Sequence, residues 1–160
     1  MVDIALYQPD IPQNTGTLLR LGACLGVPVH IIEPAAFTWS ERGLRRAGLD
    51  YLDRVPLTRH ASFDHFLEWS AHRRLILLTT KASDDYLDVA YAPDDILLLG
   101  RESAGVPETV HARADLRVTI SMQPGFRSLN VAMACAMVLG EALRQTRTQG
   151  LSSIAVGPVI

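Results

Sequence analysis

The chain is poor in cysteine, has no long apolar run and carries no excess of basic charge, and each shortage removes a class of protein. Only Cys24 and Cys135 occur among its 160 residues. Both fall in apolar helical patterns with no Cys or His beside them at ligand spacing, so both read as small core residues in a reducing compartment. The five histidines, His30, His60, His65, His72 and His111, recur at no ligand interval, so each reads as structural or solvated and no metal site is expected. No segment approaches the roughly 18 apolar residues of a membrane span. The N-terminus also lacks the basic-then-apolar order of a secretion signal, so a cytoplasmic protein without membrane attachment is expected. With 15 Lys and Arg against 17 Asp and Glu, the net charge of −2 gives no global attraction to nucleic acid. RNA contact would need a local patch. Arg42-Gly43-Leu44-Arg45-Arg46, followed by Arg54, Arg59 and His60, is the one concentration, and its ordinary reading is a solvated basic helix face.

What is present is an alternation of strand and helix patterns over residues 1–160, one domain with an apolar tail at 151–160. Asp3 to Gln8 reads as a first strand, Pro9 to Pro12 as a turn, and Thr15 to Leu25 as a helix that Asn14 can cap and Gly26 ends. Pro28 to Ile32 predicts a second strand, Ser40 to Gly48 a basic helix, and Ser62 to Ser70 an amphipathic helix. Leu75 to Thr80 is almost continuously apolar, as in a central strand covered on both faces. The pattern favours a parallel α/β sheet flanked by helices. The last helix, from Ser128 to about Gln149, is apolar nearly all round, which implies deep burial or a subunit interface.

Chemistry is expected at two strand-end loops. Ile96 to Leu99 runs into the glycine-bracketed Gly100-Arg101-Glu102-Ser103-Ala104-Gly105, and Arg117 to Ile120 runs into Ser121 to Phe126. Open α/β sheets bind ligands beyond the carboxyl ends of their strands. Neither GxGxxG nor GxxxxGK[ST] is present, so the nucleotide loops those motifs mark are excluded. Asn14, Arg20, Glu102, Arg127, Ser128 and Asn130 are polar groups near helix starts or strand ends, and several could converge on one crevice.

Three ordered segments carry a resemblance. Pro12-Gln13-Asn14-Thr15-Gly16-Thr17-Leu18-Leu19-Arg20, Gly100 to Pro107, and Ser128-Leu129-Asn130-Val131-Ala132 resemble the three motifs of the ribose 2'-O branch of the SPOUT superfamily of S-adenosylmethionine-dependent RNA methyltransferases. Leu6 to Pro12, His30 to Pro34 and Leu44 to Tyr51 look like the small enzymes of the TrmL type, which methylate the ribose of nucleotide 34, cytidine or modified uridine, in leucine tRNAs. The resemblance implies a C-terminal trefoil knot, a homodimer formed through the C-terminal helix and knot region, and tRNA as partner. It also implies S-adenosylmethionine as cofactor, with S-adenosylhomocysteine as product. Leu78, Thr79, Gly100, Glu102, Gly105, Ile120, Met122, Ser128 and Leu129 fall at its cofactor positions. Its catalytic positions fall on Arg20, Asn14, Glu102 and Asn130, and RNA contacts on Arg20, Arg42, Arg45, Arg46 and Arg127.

Roles stay open at several of these positions. Arg20 is either a general base or a clamp on the target phosphate; a guanidinium with a pKa above about 12 is a poor proton acceptor. Asn14 is a helix cap or a ribose or cofactor contact, and Glu102 a surface carboxylate or an orienting group. Position 101 is Arg where some wobble enzymes have Pro, which loosens the substrate assignment: another tRNA position, a ribosomal RNA ribose, or a non-catalytic binding module are the alternatives.

Overall fold

The computed structural model describes residues 1–38 and 54–147. The basic segment with Arg42, Arg45 and Arg46, the helix expected at 40–48 and the 151–160 tail lie outside them. Seven strands are described: β1 (Asp3–Tyr7), β2 (Val29–Ile32), β3 (Leu57–His60), β4 (Leu75–Leu78), β5 (Asp84–Asp85), β6 (Ile96–Leu99) and β7 (Leu116–Thr119). They form one sheet in the order β3-β2-β1-β6-β4-β7-β5, every pairing parallel. The helices are α1 (Pro12–Leu25), α2 (Phe63–Trp69), α3 (Glu108–Arg113) and α4 (Val131–Arg147).

The apolar runs explain the interior. Ile96-Leu97-Leu98-Leu99 is buried at every position, and Leu75 to Leu77 likewise. Alternate residues of these strands face two separate cores. On one face α1 and α4 bring Leu18, Leu19, Cys135, Val138 and Leu139 onto Ile4, Leu6, Ile76, Leu97 and Leu99. On the other, Phe66 of α2 and Val110 of α3 pack with Ala5, Tyr7, Leu77 and Leu98. Burial on both faces removes any polar alternation, which is why these strands read as continuous hydrophobic runs.

Several boundaries differ from expectation. β6, with β1 and β4 as neighbours, holds the middle of the sheet, and the run at 75–80 lies one place to its side. Asn14 does not cap α1: the helix starts at Pro12 after Ile11, with no side-chain cap, because a proline needs no partner for an N–H it lacks. α4 starts at Val131 rather than Ser128. Asn130 caps it, its Oδ1 accepting from the N–H groups of Ala132 (2.9 Å) and Met133 (3.4 Å). Cys24 is exposed on α1, whereas Cys135 is buried. An apolar local pattern does not tell which side of a helix meets the sheet. β3, β5 and α3 carry no strong periodicity and are fixed by pairing and packing.

Because all strands run the same way, the segments after β1, β4, β6 and β7 emerge at one edge. The chain from β1 turns outward to β2, while β6 lies on β1's other side. Ligand crevices of α/β sheets form at such a divergence.

Candidate functional site

At that edge lies a cavity of about 540 Å³, within the size range of small-molecule sites. Its walls come from the segments after β4 (Leu78, Thr79), after β6 (Gly100 to Val106) and after β7 (Ile120 to Val131), closed on one side by Ala134 and Val138 of α4. Every residue expected to contact the cofactor lines it, as do Asn14, Asn130 and Arg127. Arg20 does not; it is exposed on α1, outside the lining. Arg42, Arg45 and Arg46 fall outside the described residues.

The loop after β6 is closed on itself. Arg101 N–H donates to Gly105 O (3.0 Å) and Gly105 N–H to Arg101 O (2.8 Å). Gly105 has φ +66°, a conformation costly for residues with a side chain. A Cβ on Gly100 would lie 2.6 Å from the Gly105 carbonyl carbon, so the two backbones meet where no side chain fits.

A polar chain crosses the cavity mouth. Glu102 Oε1 accepts from Asn14 Nδ2 (3.1 Å), and Asn14 Oδ1 accepts from Asn130 Nδ2 (3.0 Å). Asn130 thus joins the start of α4 to the first turn of α1 while capping its own helix. Glu102 Oε2 accepts from the Asp10 N–H (3.3 Å), and Asp10 takes the N–H of Glu102 (3.1 Å). Burial raises the Glu102 carboxyl above its ordinary range, and its contact with the Asp10 carboxyl raises it further. Asp10 is held down at about 2 by that same contact and by the donors of Ser103, which outweigh its desolvation. No local spacing marks Asp10; its role comes from proximity alone.

Two buried donors have no partner among the described residues: Arg101 Nε and His111 Nε2. Both residues line the cavity. His111 Nδ1 takes the Nε–H of Arg117 (3.1 Å), which leaves the imidazole proton on Nε2. Unpaired buried donors are uncommon. Walls that mix apolar side chains such as Leu78, Ile120 and Leu129 with polar groups and closed backbone loops fit an adenosine-type ligand, which needs flat apolar contact and a few hydrogen bonds. His111 was only one of five scattered histidines in the sequence, and no spacing could have marked it. Among the described residues no group of His, Cys, Asp or Glu is arranged to hold a metal, and no helix is long and apolar enough to cross a membrane.

Residues 1–140 match the SpoU rRNA Methylase family. The chain is 67% identical over 144 residues to a tRNA (cytidine(34)-2'-O)-methyltransferase of Beijerinckia indica, covering 89% of this chain and 90% of that one. It superposes with TM-score 0.86 and 41% identity on a solved structure described as giving structural insights into the 2-OH methylation of C/U34 on tRNA, over 91% of this chain and 95% of the other. An AdoMet-bound rRNA methyltransferase from Sinorhizobium meliloti superposes with TM-score 0.81 and 26% identity over 94% of this chain and 57% of its own.

Proposed function

The chain belongs to the SpoU rRNA Methylase family, and from that premise we propose that it transfers a methyl group from S-adenosylmethionine to the ribose 2'-oxygen of nucleotide 34 in tRNA. It is a tRNA (cytidine(34)-2'-O)-methyltransferase, with cytidine or a modified uridine of leucine tRNAs as target. The observation that carries this reading is the cavity at the strand ends, bordered by the chain Glu102–Asn14–Asn130.

When bound, S-adenosylmethionine supplies an electrophilic methyl group and is left as S-adenosylhomocysteine. Leu78, Thr79, Gly100, Gly105, Ile120, Met122, Ser128 and Leu129 would hold it, with His111 Nε2 and Arg101 Nε as available donors. Asn14, Glu102 and Asn130 fix the cavity mouth, where a ribose has to be aligned. Most of the rate of an in-line displacement comes from such alignment and from fixed dipoles near the reacting oxygen. Arg127, exposed at the rim, is placed for phosphate. Arg20 does not line this chain's cavity. It serves the site of a second subunit, where it clamps the target phosphate and stabilises the developing alkoxide.

Phe126, Leu129, Met133 and Met137 are 75%, 42%, 62% and 41% exposed, an unusual concentration of apolar surface beside the cavity. It supports a homodimer built on α4 and the loop before it. The reading includes a C-terminal trefoil knot; the segment between β4 and β6 bonds α4, with Gln145 Oε1 accepting from Tyr91 N–H (2.9 Å) and its Nε2 donating to Val89 O (3.0 Å). Such an enzyme works in the cytoplasm, where its tRNA is.

The test is incubation of the purified protein with radiolabelled S-adenosylmethionine and bulk tRNA, followed by mapping of the labelled nucleotide. Label on the ribose at position 34 is expected. Label at another position, or in ribosomal RNA only, overturns the substrate assignment.

A further inference from the structure

Asp10 lies between β1 and α1, outside the cavity lining, yet its backbone and side chain both bond the loop after β6. Its carboxylate accepts from the N–H of Glu102 (3.1 Å), the N–H of Ser103 (3.3 Å) and the Ser103 hydroxyl. Its own N–H returns a bond to Glu102 Oε2 (3.3 Å). Two residues earlier, Gln8 is held at φ +46° and accepts from Arg101 of the same loop. A non-glycine residue persists in that conformation only where its surroundings over-determine it. The segment 8–10 is therefore shaped to meet residues 101–103.

We propose that Asp10 is a positioning residue for methyl transfer, fixing the Glu102 carboxyl so that Asn14, and through it Asn130, are set before the RNA arrives. The inference rests on the methyltransferase reading above. Its physics is that of two carboxyls in contact, which do not ionise together. Asp10, with three donors around it, keeps its charge. Glu102, half-buried and held at Oε2 by the Asp10 N–H, retains its proton to higher pH. One Glu102 oxygen then remains directed at Asn14 Nδ2. Remove the Asp10 charge and the loop N–H groups of Glu102 and Ser103 lose their acceptor, so the Glu102 side chain is less firmly placed, and the part of its raised proton affinity that Asp10 supplies is lost while burial keeps the rest.

The test combines a titration with kinetics on the full chain. Glutamate labelled with carbon-13 at its carboxyl gives six signals at most, and Glu102→Gln identifies the relevant one. In wild-type protein the Glu102 carboxyl is expected to titrate above the ordinary glutamate range, and in Asp10→Asn to fall back towards it. The same variant is expected to lower kcat about tenfold or more, with KM for tRNA changed less than about twofold. Because Asp10 acts through Glu102, adding Asp10→Asn to Glu102→Gln should cost nothing further. If Asp10→Asn does not fold, Asp10→Ser, which keeps an acceptor without the charge, carries the same expectations. An unmoved Glu102 titration, or losses that add in the double variant, overturns the proposal. The titration needs neither RNA nor cofactor, so it decides the role of Asp10 even if transfer to tRNA fails and the reading of the enzyme with it.

Discussion

At the scale of single residues, the loop after β6 is where small changes should cost most. Gly100→Ala puts a Cβ 2.6 Å from the Gly105 carbonyl carbon and 2.8 Å from its Cα, both backbone atoms that cannot swing aside. The expected loss is about 1–3 kcal/mol of stability together with weakened S-adenosylmethionine binding, read by thermal unfolding and calorimetry. Gly105→Ala meets no atom within 4 Å but must hold φ +66°. Its cost is conformational only, about 1–2 kcal/mol, with binding less affected. If the two variants lose affinity equally, close approach is not what Gly100 provides. Asn14 makes a second case: Asn14→Ala removes the link between Glu102 and Asn130 while leaving the start of α1 uncapped as before. Its effect should fall on kcat, with the unfolding free energy lowered by less than about 1 kcal/mol.

Between elements, a buried polar group joins β1, β2, β3 and α2 on the sheet face opposite α1 and α4. Arg73 and His30 both bond Asp3, the latter at 3.2 Å, and His30 Nδ1 lies 3.0 Å from His60 Nε2, with the Trp69 ring tilted 36° against His30. Sequence spacing left these two histidines unrelated; parallel pairing of β1, β2 and β3 brings them together. Burial opposes the Asp3 charge, but hydrogen bonds from His30 and Arg73 outweigh it and hold the carboxyl below its usual range. Burial, then the neighbouring His30, lowers His60. Both groups have folded values below their unfolded ones, so the stability they contribute is present above the unfolded values and is lost as pH falls. For His60 the loss begins near its ordinary pKa of about 6.5, and for Asp3 near about 3.9. Unfolding midpoints measured from about pH 7 to about pH 5 should decline, and His60→Gln, which retains a hydrogen-bonding group, should flatten that decline. An unchanged slope would remove His60 from the account.

For the whole molecule, the proposed dimer rests on the exposed apolar strip on α4 and the loop before it. Met133 and Met137 lie outside the cavity lining, so changing them leaves this chain's own cavity intact. Met133→Glu with Met137→Glu should shift the protein from dimer to monomer in sedimentation velocity. Methyl transfer should fall at the same time if Arg20 serves the opposite subunit's site. Arg20→Ala in the otherwise wild-type protein should then reduce kcat while S-adenosylmethionine affinity holds. A double variant that remains dimeric, or a monomer that is fully active, contradicts this arrangement.

By itself the sequence determined the layered α/β design and pointed to the strand-end loops that line the cavity. The apolar runs at 75–78 and 96–99 can be satisfied only between two helical layers, and the loop at 100–105 announces itself by its glycines and charges. The family resemblance assigned Leu78, Gly100, Ile120 and Ser128 to one site, and all four line the cavity. What only the tertiary structure decided were facts of through-space distance. Asp10 meets Glu102 across 92 positions, Asn14 meets Asn130 across 116, and the proton of His111 is set by Arg117. Cys24 faces outward and Cys135 inward for the same reason. Local patterns report the period of an element, whereas its rotation against a neighbour and the partner of a polar group are settled when separate segments pack.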